Sequence, residues 1–237
     1  MKLLLWDFDS TLGWREGGWT GALLETIQAC APGIHLTPEQ VRPYLKSGFP
    51  WQIPETPHLD TGTPDAWWDR LDPLFEQACG GLGFSPPDSH CIARQVRRVY
   101  PDLSRFRLFD DSLPALAQLS ARGWTHALLS NHVPELPAIL RHLGLAGCLA
   151  GVFNSAETGY EKPHPQAFHL ALAVFPHAHT AWMIGDNPTA DIEGAALAGL
   201  PGILVRKPHP GVPYFCQDLS QLVVLLDSLD SQNLAGL

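Results

Sequence analysis

Short, unbroken apolar runs recur along this chain, each followed by a stretch with helical periodicity, and that rhythm narrows the possible folds more than any other feature. The runs are Leu3-Leu4-Leu5-Trp6, Ala127-Leu128-Leu129, Ala181-Trp182-Met183-Ile184 and Gly202-Ile203-Leu204-Val205. An apolar run with no polar face reads as a strand covered on both sides. Helical patterns alternate with them: Ser112 to Arg122, stopped by Gly123; Val133 to Leu143, stopped by Gly144; Pro165 to Phe175; Asp191 to Ala198, stopped by Gly199; and Leu219 to Leu229. The expected fold class is α/β, a Rossmann-like parallel sheet core with helices on both faces.

One stretch breaks the rhythm. From Arg15 to about Phe106 the periodic segments all look helical: Thr20 to Cys30, Pro38 to Lys46, Pro64 to Cys79 and Ser89 to Tyr100. Thr37-Pro38-Glu39-Gln40 offers an N-cap, a proline at the first helical position and a capping-box partner. A proline-rich loop from Gly48 to Gly62 carries Trp51, His58 and Asp60. The expected organisation is therefore a core of residues 1–14 and 106–237 with an inserted all-helical cap domain, residues 15–105. Gly13, Gly17 and Gly18 supply a hinge through which the cap would close over the core and exclude water.

Of the 237 residues 45% are hydrophobic and 16% charged, with a formal net charge of -9, so the chain buries a core and is a poor match for nucleic acid or anionic lipid. Any anionic ligand needs a local site. The five cysteines, Cys30, Cys79, Cys91, Cys148 and Cys216, are scattered without a C-x-x-C pair, which reads as reduced thiols in a cytoplasmic protein. Asp7 and Asp9 interrupt the first apolar run too early for a signal peptide. No run approaches the ~20 apolar residues of a membrane span.

Ligands of open parallel sheets bind beyond the carboxyl ends of the strands. Those ends, with the loop at Glu161-Lys162-Pro163, carry the chemistry: Asp7-Phe8-Asp9-Ser10-Thr11-Leu12, Leu129-Ser130-Asn131, and Gly185-Asp186-Asn187-Pro188-Thr189-Ala190-Asp191. Asp7, Asp9, Asp186 and Asp191 bring four carboxylates toward one crevice. Two such charges about 4 Å apart repel by about 4 kcal/mol at an effective dielectric near 20. Mg²⁺ and the Lys162 ammonium would neutralise them, and Mg²⁺ held by a few carboxylates shares its other positions with water and phosphate. The residues thus point to a metal-assisted phosphoryl site.

These four segments, in this order, resemble the haloacid dehalogenase-like (HAD) superfamily of aspartate-nucleophile hydrolases, and the helical insert resembles the cap of its phosphoglycolate phosphatase and beta-phosphoglucomutase-like branch. The resemblance implies Asp7 as nucleophile, Asp9 as general acid/base and, through its carbonyl, a ligand of Mg²⁺ beside Asp7 and Asp186. It implies Ser130, Asn131 and Lys162 as phosphate-binding residues, Lys162 also as the catalytic cation, Thr11 as support for the first motif, and Asp191 as the acid that steadies the metal's water shell or Lys162. The implied function is Mg²⁺-dependent hydrolysis of a small phosphorylated metabolite through an aspartyl-phosphate, by a monomer or a homodimer. A phosphomutase, a 2-haloacid dehalogenase and a non-catalytic phosphometabolite sensor are the alternatives. Ser10 and His164 depart from the commoner Gly and Asp of the family.

Other patterns have simpler readings. Lys207 repeats the Lys-Pro-His-Pro context of Lys162 but follows the Asp186 motif and is taken as a decoy. Arg94, Arg97, Arg98, Arg105 and Arg107 read as a solvated helix face. Trp14, Trp19, Trp51, Trp67 and Trp68 crowd the insert; most read as core, with Trp14, Trp19 and Trp51 as candidates for a substrate roof.

Overall fold

The computed structural model describes residues 1–60 and 63–235. Strand β1 (Lys2–Trp6) leads through a tight turn to β2 (Gly13–Arg15). Helices α1 (Gly18–Cys30), α2 (Pro38–Val41), α3 (Pro64–Gly81) and α4 (Pro86–Val99) follow, and then β3 (Phe106–Leu108). The remainder runs α5 (Ser112–Ala121), β4 (Trp124–Ser130), α6 (Leu136–His142), β5 (Gly151–Asn154), α7 (Ser155–Thr158), α8 (Pro165–Val174) and β6 (Thr180–Gly185). It ends with α9 (Gly194–Leu197), β7 (Gly202–Val205), β8 (Phe215–Cys216) and α10 (Leu219–Ala235).

Six strands form one parallel sheet in the order β5-β4-β1-β6-β7-β8. Counted along the sheet's own strands this is the doubly wound order 3-2-1-4-5-6, whose direction reverses at β1 and β6. Trp6 lies level with Leu128 of β4 and Ile184 of β6. Asp7, Ser130 and Asp186, one or two places further on, therefore gather at the same end of the sheet.

Leu3, Leu4, Leu5 and Trp6 have no exposed surface. Leu3 and Leu5 pack with Ala127, Met183 and Phe168 on one face of the sheet, while Leu4 and Trp6 pack with Leu116, Leu128, Ile184 and Leu222 on the other. Each fully buried leucine contributes about 2 kcal/mol of apolar burial. The second of these clusters continues through Phe8, Leu12 and Phe106 into Ile27, Trp67, Trp68, Leu71 and Phe75 of the helical segment. That segment leaves and rejoins the sheet through the antiparallel pair β2–β3, where Trp14 faces Arg107.

Several local expectations need correction. β5 and β8 are strands that no apolar run announces, since one begins with Gly151 and the other is two residues long. The helix expected from Pro38 to Lys46 stops at Val41 and gives way to a 3-10 turn at Arg42–Leu45, because Pro43 lacks the amide to continue it. Pro188–Glu193 form a wide π-helical turn ahead of α9, so the helix expected at Asp191 starts earlier and with looser pitch. The proline-rich loop contains a 3-10 turn at Pro50–Gln52, and its far end at Gly62 lies outside the described residues. The arginine row is not simply solvated: Arg97 meets Asp69 at 2.6 Å and Asp72 at 2.9 Å, tying α4 to α3. No described helix is long and apolar enough to cross a membrane.

A buried polar chain locks β1 to β4. The Trp6 indole donates to His126 Nδ1 at 3.0 Å, which leaves Nε2 to carry the proton and donate to the Leu116 carbonyl at 3.1 Å. Burial, opposed by that carbonyl, pushes His126 down from 6.5 to about 4. Between those pH values the unfolded chain binds a proton that the folded chain refuses, so stability falls as pH falls through the window. Denaturant titrations at pH 7 and pH 4.5 are expected to show a loss of about 2 kcal/mol from this residue. The His126→Gln protein is expected to lose correspondingly less between the same two pH values.

Candidate active site

The site begins where β1 runs out. The Asp7 amide still donates to Ile184 of β6 at 2.9 Å, so its position is fixed by the sheet. Directly afterwards the chain curls: the amides of Thr11, Leu12 and Gly13 all point at the Phe8 carbonyl, at 3.0 to 3.2 Å. This loop brings Asp9 to the same cavity as Asp7. It also forces Ser10 to φ 61, a left-handed conformation that accounts for glycine being the commoner residue there.

Asp7 is almost fully buried and fully satisfied. Its Oδ1 accepts from Lys162 Nζ and from Ser130 Oγ, both at 2.9 Å, and its Oδ2 from Thr11 Oγ1 at 3.3 Å. Lys162 reaches it from the loop before α8 and donates in addition to Asp191 Oδ1 at 2.6 Å. Burial would discharge this ammonium, but the charges of Asp191 and Asp7 outweigh burial and hold its pKa above the usual lysine range. The other Asp191 oxygen accepts the Asn187 amide at 3.0 Å. A Cβ on Gly185 would collide with the Asp191 carboxylate, so glycine at the end of β6 is what lets that acid approach.

Asp7, Asp186 and Asp191 each offer an oxygen within 4.8 Å of the others, a set that suits a hard cation. Asp186 is raised to about 7, by burial first and then by the charges of Asp7 and Asp191, which outweigh the opposing charges of Lys207 and Lys162. Asp9 is likewise raised to about 7, by burial and then by Asp7. Its carboxylate is not part of the converging trio; Asp191 takes that place.

Other placements refine the expectations. Asn131 lines the cavity, and its side chain clamps the backbone of Lys162, accepting from the Lys162 amide at 2.7 Å and donating to its carbonyl at 2.9 Å. His164 caps α8, its Nδ1 accepting the Gln166 amide at 3.0 Å, which a carboxylate would do equally well. Lys207 is exposed and lies outside the cavity wall, although its charge lowers Asp186 slightly. Trp19 and Trp51 line the cavity, whereas Trp14 packs on Phe109.

Two features had no sequence signal beyond their position. His132, directly after Ser130-Asn131, is 2% exposed among Phe8, Tyr100 and Phe106, with Nε2 3.6 Å from Asp9 Oδ2. Burial pushes it down to about 4. His58, on the proline-rich loop, meets Glu161 at 2.9 Å, and its amide donates to Gly159 at 2.9 Å. The insert thereby rests on the loop that carries Lys162.

A family model described as haloacid dehalogenase-like hydrolase matches residues 1–199. The chain belongs to this family. Phosphoserine phosphatase of Thermus thermophilus is 36% identical over 173 residues, covering 71% of this chain and 68% of that one. Haloacid dehalogenase-like hydrolase domain-containing protein 3 of Bos taurus is 28% identical over 98% of this chain and 96% of its own length. The magnesium-bound crystal structure of the HAD-hydrolase YfnB from Bacillus subtilis superposes with a TM-score of 0.71 over 95% of this chain and 98% of that one. At 21% identity that likeness concerns the fold.

In this haloacid dehalogenase-like hydrolase, the left-handed serine after Asp9 gives a direct test of the loop geometry. Ser10→Gly is expected to stabilise the protein by about 1 kcal/mol, a rise in Tm of roughly 2–4 °C at this chain length. Thermal unfolding followed by circular dichroism checks it; a fall in Tm would contradict the assigned conformation.

Proposed function

We propose that this hydrolase cleaves small phosphomonoesters, using Mg²⁺ and an aspartyl-phosphate on Asp7. The observation that carries this reading is the pairing of two unlike acids two residues apart. Asp7 is held in place by Lys162, Ser130 and Thr11, while Asp9 is raised to about 7, where it can both give and take a proton near neutrality.

An Asp7 oxygen attacks phosphorus, forming an O–P bond as the ester P–O bond breaks, and Asp9 gives its proton to the departing alkoxide. Asp9, now a carboxylate, takes a proton from a water molecule that attacks the same phosphorus, releasing inorganic phosphate and restoring Asp7. Lys162, and Ser130 once turned from Asp7, would hold the phosphoryl oxygens, while Asn131 fixes the backbone of Lys162. Asp191 keeps the Lys162 ammonium charged and aimed. The oxygens of Asp7 and Asp186, joined by the Asp9 carbonyl, would hold Mg²⁺, which when bound supplies charge neutralisation for the transferring group. Residues 15–105 would act as the cap that closes the cavity, and the free cysteines suit a reducing compartment such as the cytoplasm.

Displacement of halide from carbon is the reading this site serves less well. A halide leaves without a proton, so an acid poised like Asp9 and a further acid like Asp186 would have no task. A phosphomutase would use the same first transfer and differ in the acceptor.

Phosphate release from p-nitrophenyl phosphate is expected to require Mg²⁺ and to stop with a chelator. Asp7→Asn is expected to abolish it, and Asp9→Asn to slow release from an alkyl ester such as glycerol 2-phosphate by a factor of about 10²–10⁴. Release that survives both chelator and Asp7→Asn would refute the mechanism.

A further inference from the structure

The acids and Lys162 form one end of a cavity of about 480 Å³; its other walls come from the helical segment and the loop after β4. In the proposed hydrolysis, on which this inference rests, the alcohol leaves toward Asp9. The groups around Asp9 therefore describe what that alcohol meets. His132 lies 3.6 Å away, and burial, aided by the Asp9 charge, raises Tyr100 well above the usual tyrosine range.

Tyr100 is the near end of an aromatic panel. Its ring stacks on Trp19 at 3.7 Å between centroids and 18° between planes. Trp19 lies 6.1 Å from Trp51, which in turn stacks on Phe49 at 4.6 Å and 12°. Tyr100, Trp19 and Trp51 all line the cavity, beside Gln52 and Pro54. The panel is rigid because each ring is backed by another.

The charges along the same wall are one-sided. Among the described residues that line the cavity, Asp7, Asp9, Asp186 and Asp191 are acids and Lys162 is the one cation, already shared between Asp7 and Asp191. A substrate with a second acidic group, a carboxylate or another phosphate, would meet aromatic faces and no counter-charge. Flat rings, by contrast, find the offset and tilted contacts that aromatic pairs prefer.

We propose that the wall formed by Trp19, Trp51 and Tyr100 selects phosphomonoesters whose alcohol carries a flat, uncharged ring and rejects those that carry a second acidic group. Nucleoside 5′-monophosphates and simple aryl phosphates share this chemistry. The volume lies toward the small end of ligand cavities and suits a phosphate with one ring system. Trp51 is the residue most directly testable, since it is half-buried on a loop and packs against the helical core from its cavity side.

The test measures kcat/KM with Mg²⁺ for adenosine and uridine 5′-monophosphates, phenyl phosphate, glycerol 2-phosphate, phosphoserine and phosphoglycolate. Ring-bearing esters are expected to exceed phosphoserine and phosphoglycolate by about tenfold or more. The nucleotides against phenyl phosphate decide which ring source is preferred. Trp51→Ala is expected to raise KM about tenfold more for ring-bearing esters than for glycerol 2-phosphate. Trp51→Leu, which keeps apolar bulk, serves if the alanine protein is unstable. Preference for phosphoserine or phosphoglycolate, or equal effects of the substitution on all esters, would overturn the proposal. Calorimetric binding of the same esters to the Asp7→Asn protein separates the two readings. Ring-selective binding without turnover in the unaltered enzyme would keep the wall's role and sink the hydrolysis. Turnover without ring selectivity would do the reverse.

Discussion

The Lys162 ammonium, shared between Asp7 and Asp191 with 2% of its side chain exposed, is the interaction on which the site depends. An unpaired ammonium would not stay charged at that depth, and the two carboxylates would not stay ionised beside each other without it. The sheet supplies the geometry. Asp7 leaves β1 at the point where the strand order reverses, and Asp191 returns to the same point through the turn after β6. Asn131, at the end of β4, fixes the lysine backbone from the third side. Three strand ends and one loop thus converge on one positive charge, while Asp186 and Asp9 line the same cavity without touching it.

Much of this was legible because acids are costly inside apolar runs. Asp7 and Asp9 after Leu3 to Trp6, and Asp186 after Ala181 to Ile184, interrupt segments otherwise fully committed to burial. The parallel sheet's main strands and the helical insert follow from the same periodicity. What could not be read was contact between segments distant in sequence. The clamp of Asn131 on Lys162 joins positions 31 residues apart, and His58 meets Glu161 across 103. Neither residue type announces such a partner. His132 was also silent, because a buried histidine among Phe8, Tyr100 and Phe106 is chosen by packing that no local pattern encodes.

The helical segment is more than a cover. Its apolar interior is continuous with one face of the sheet through Phe8, Leu12 and Phe106, and His58 rests on the loop that carries Lys162. Movement of that segment would therefore be felt at Lys162 as well as at the aromatic wall.

Direct calorimetric titration of Mg²⁺ into the protein tests the convergence of the acids without relying on turnover. The account predicts a single saturable site whose affinity weakens as pH falls below 7, where protons compete for Asp186, and which Asp186→Asn removes. Equal Mg²⁺ binding by the original protein and the Asp186→Asn variant would contradict it.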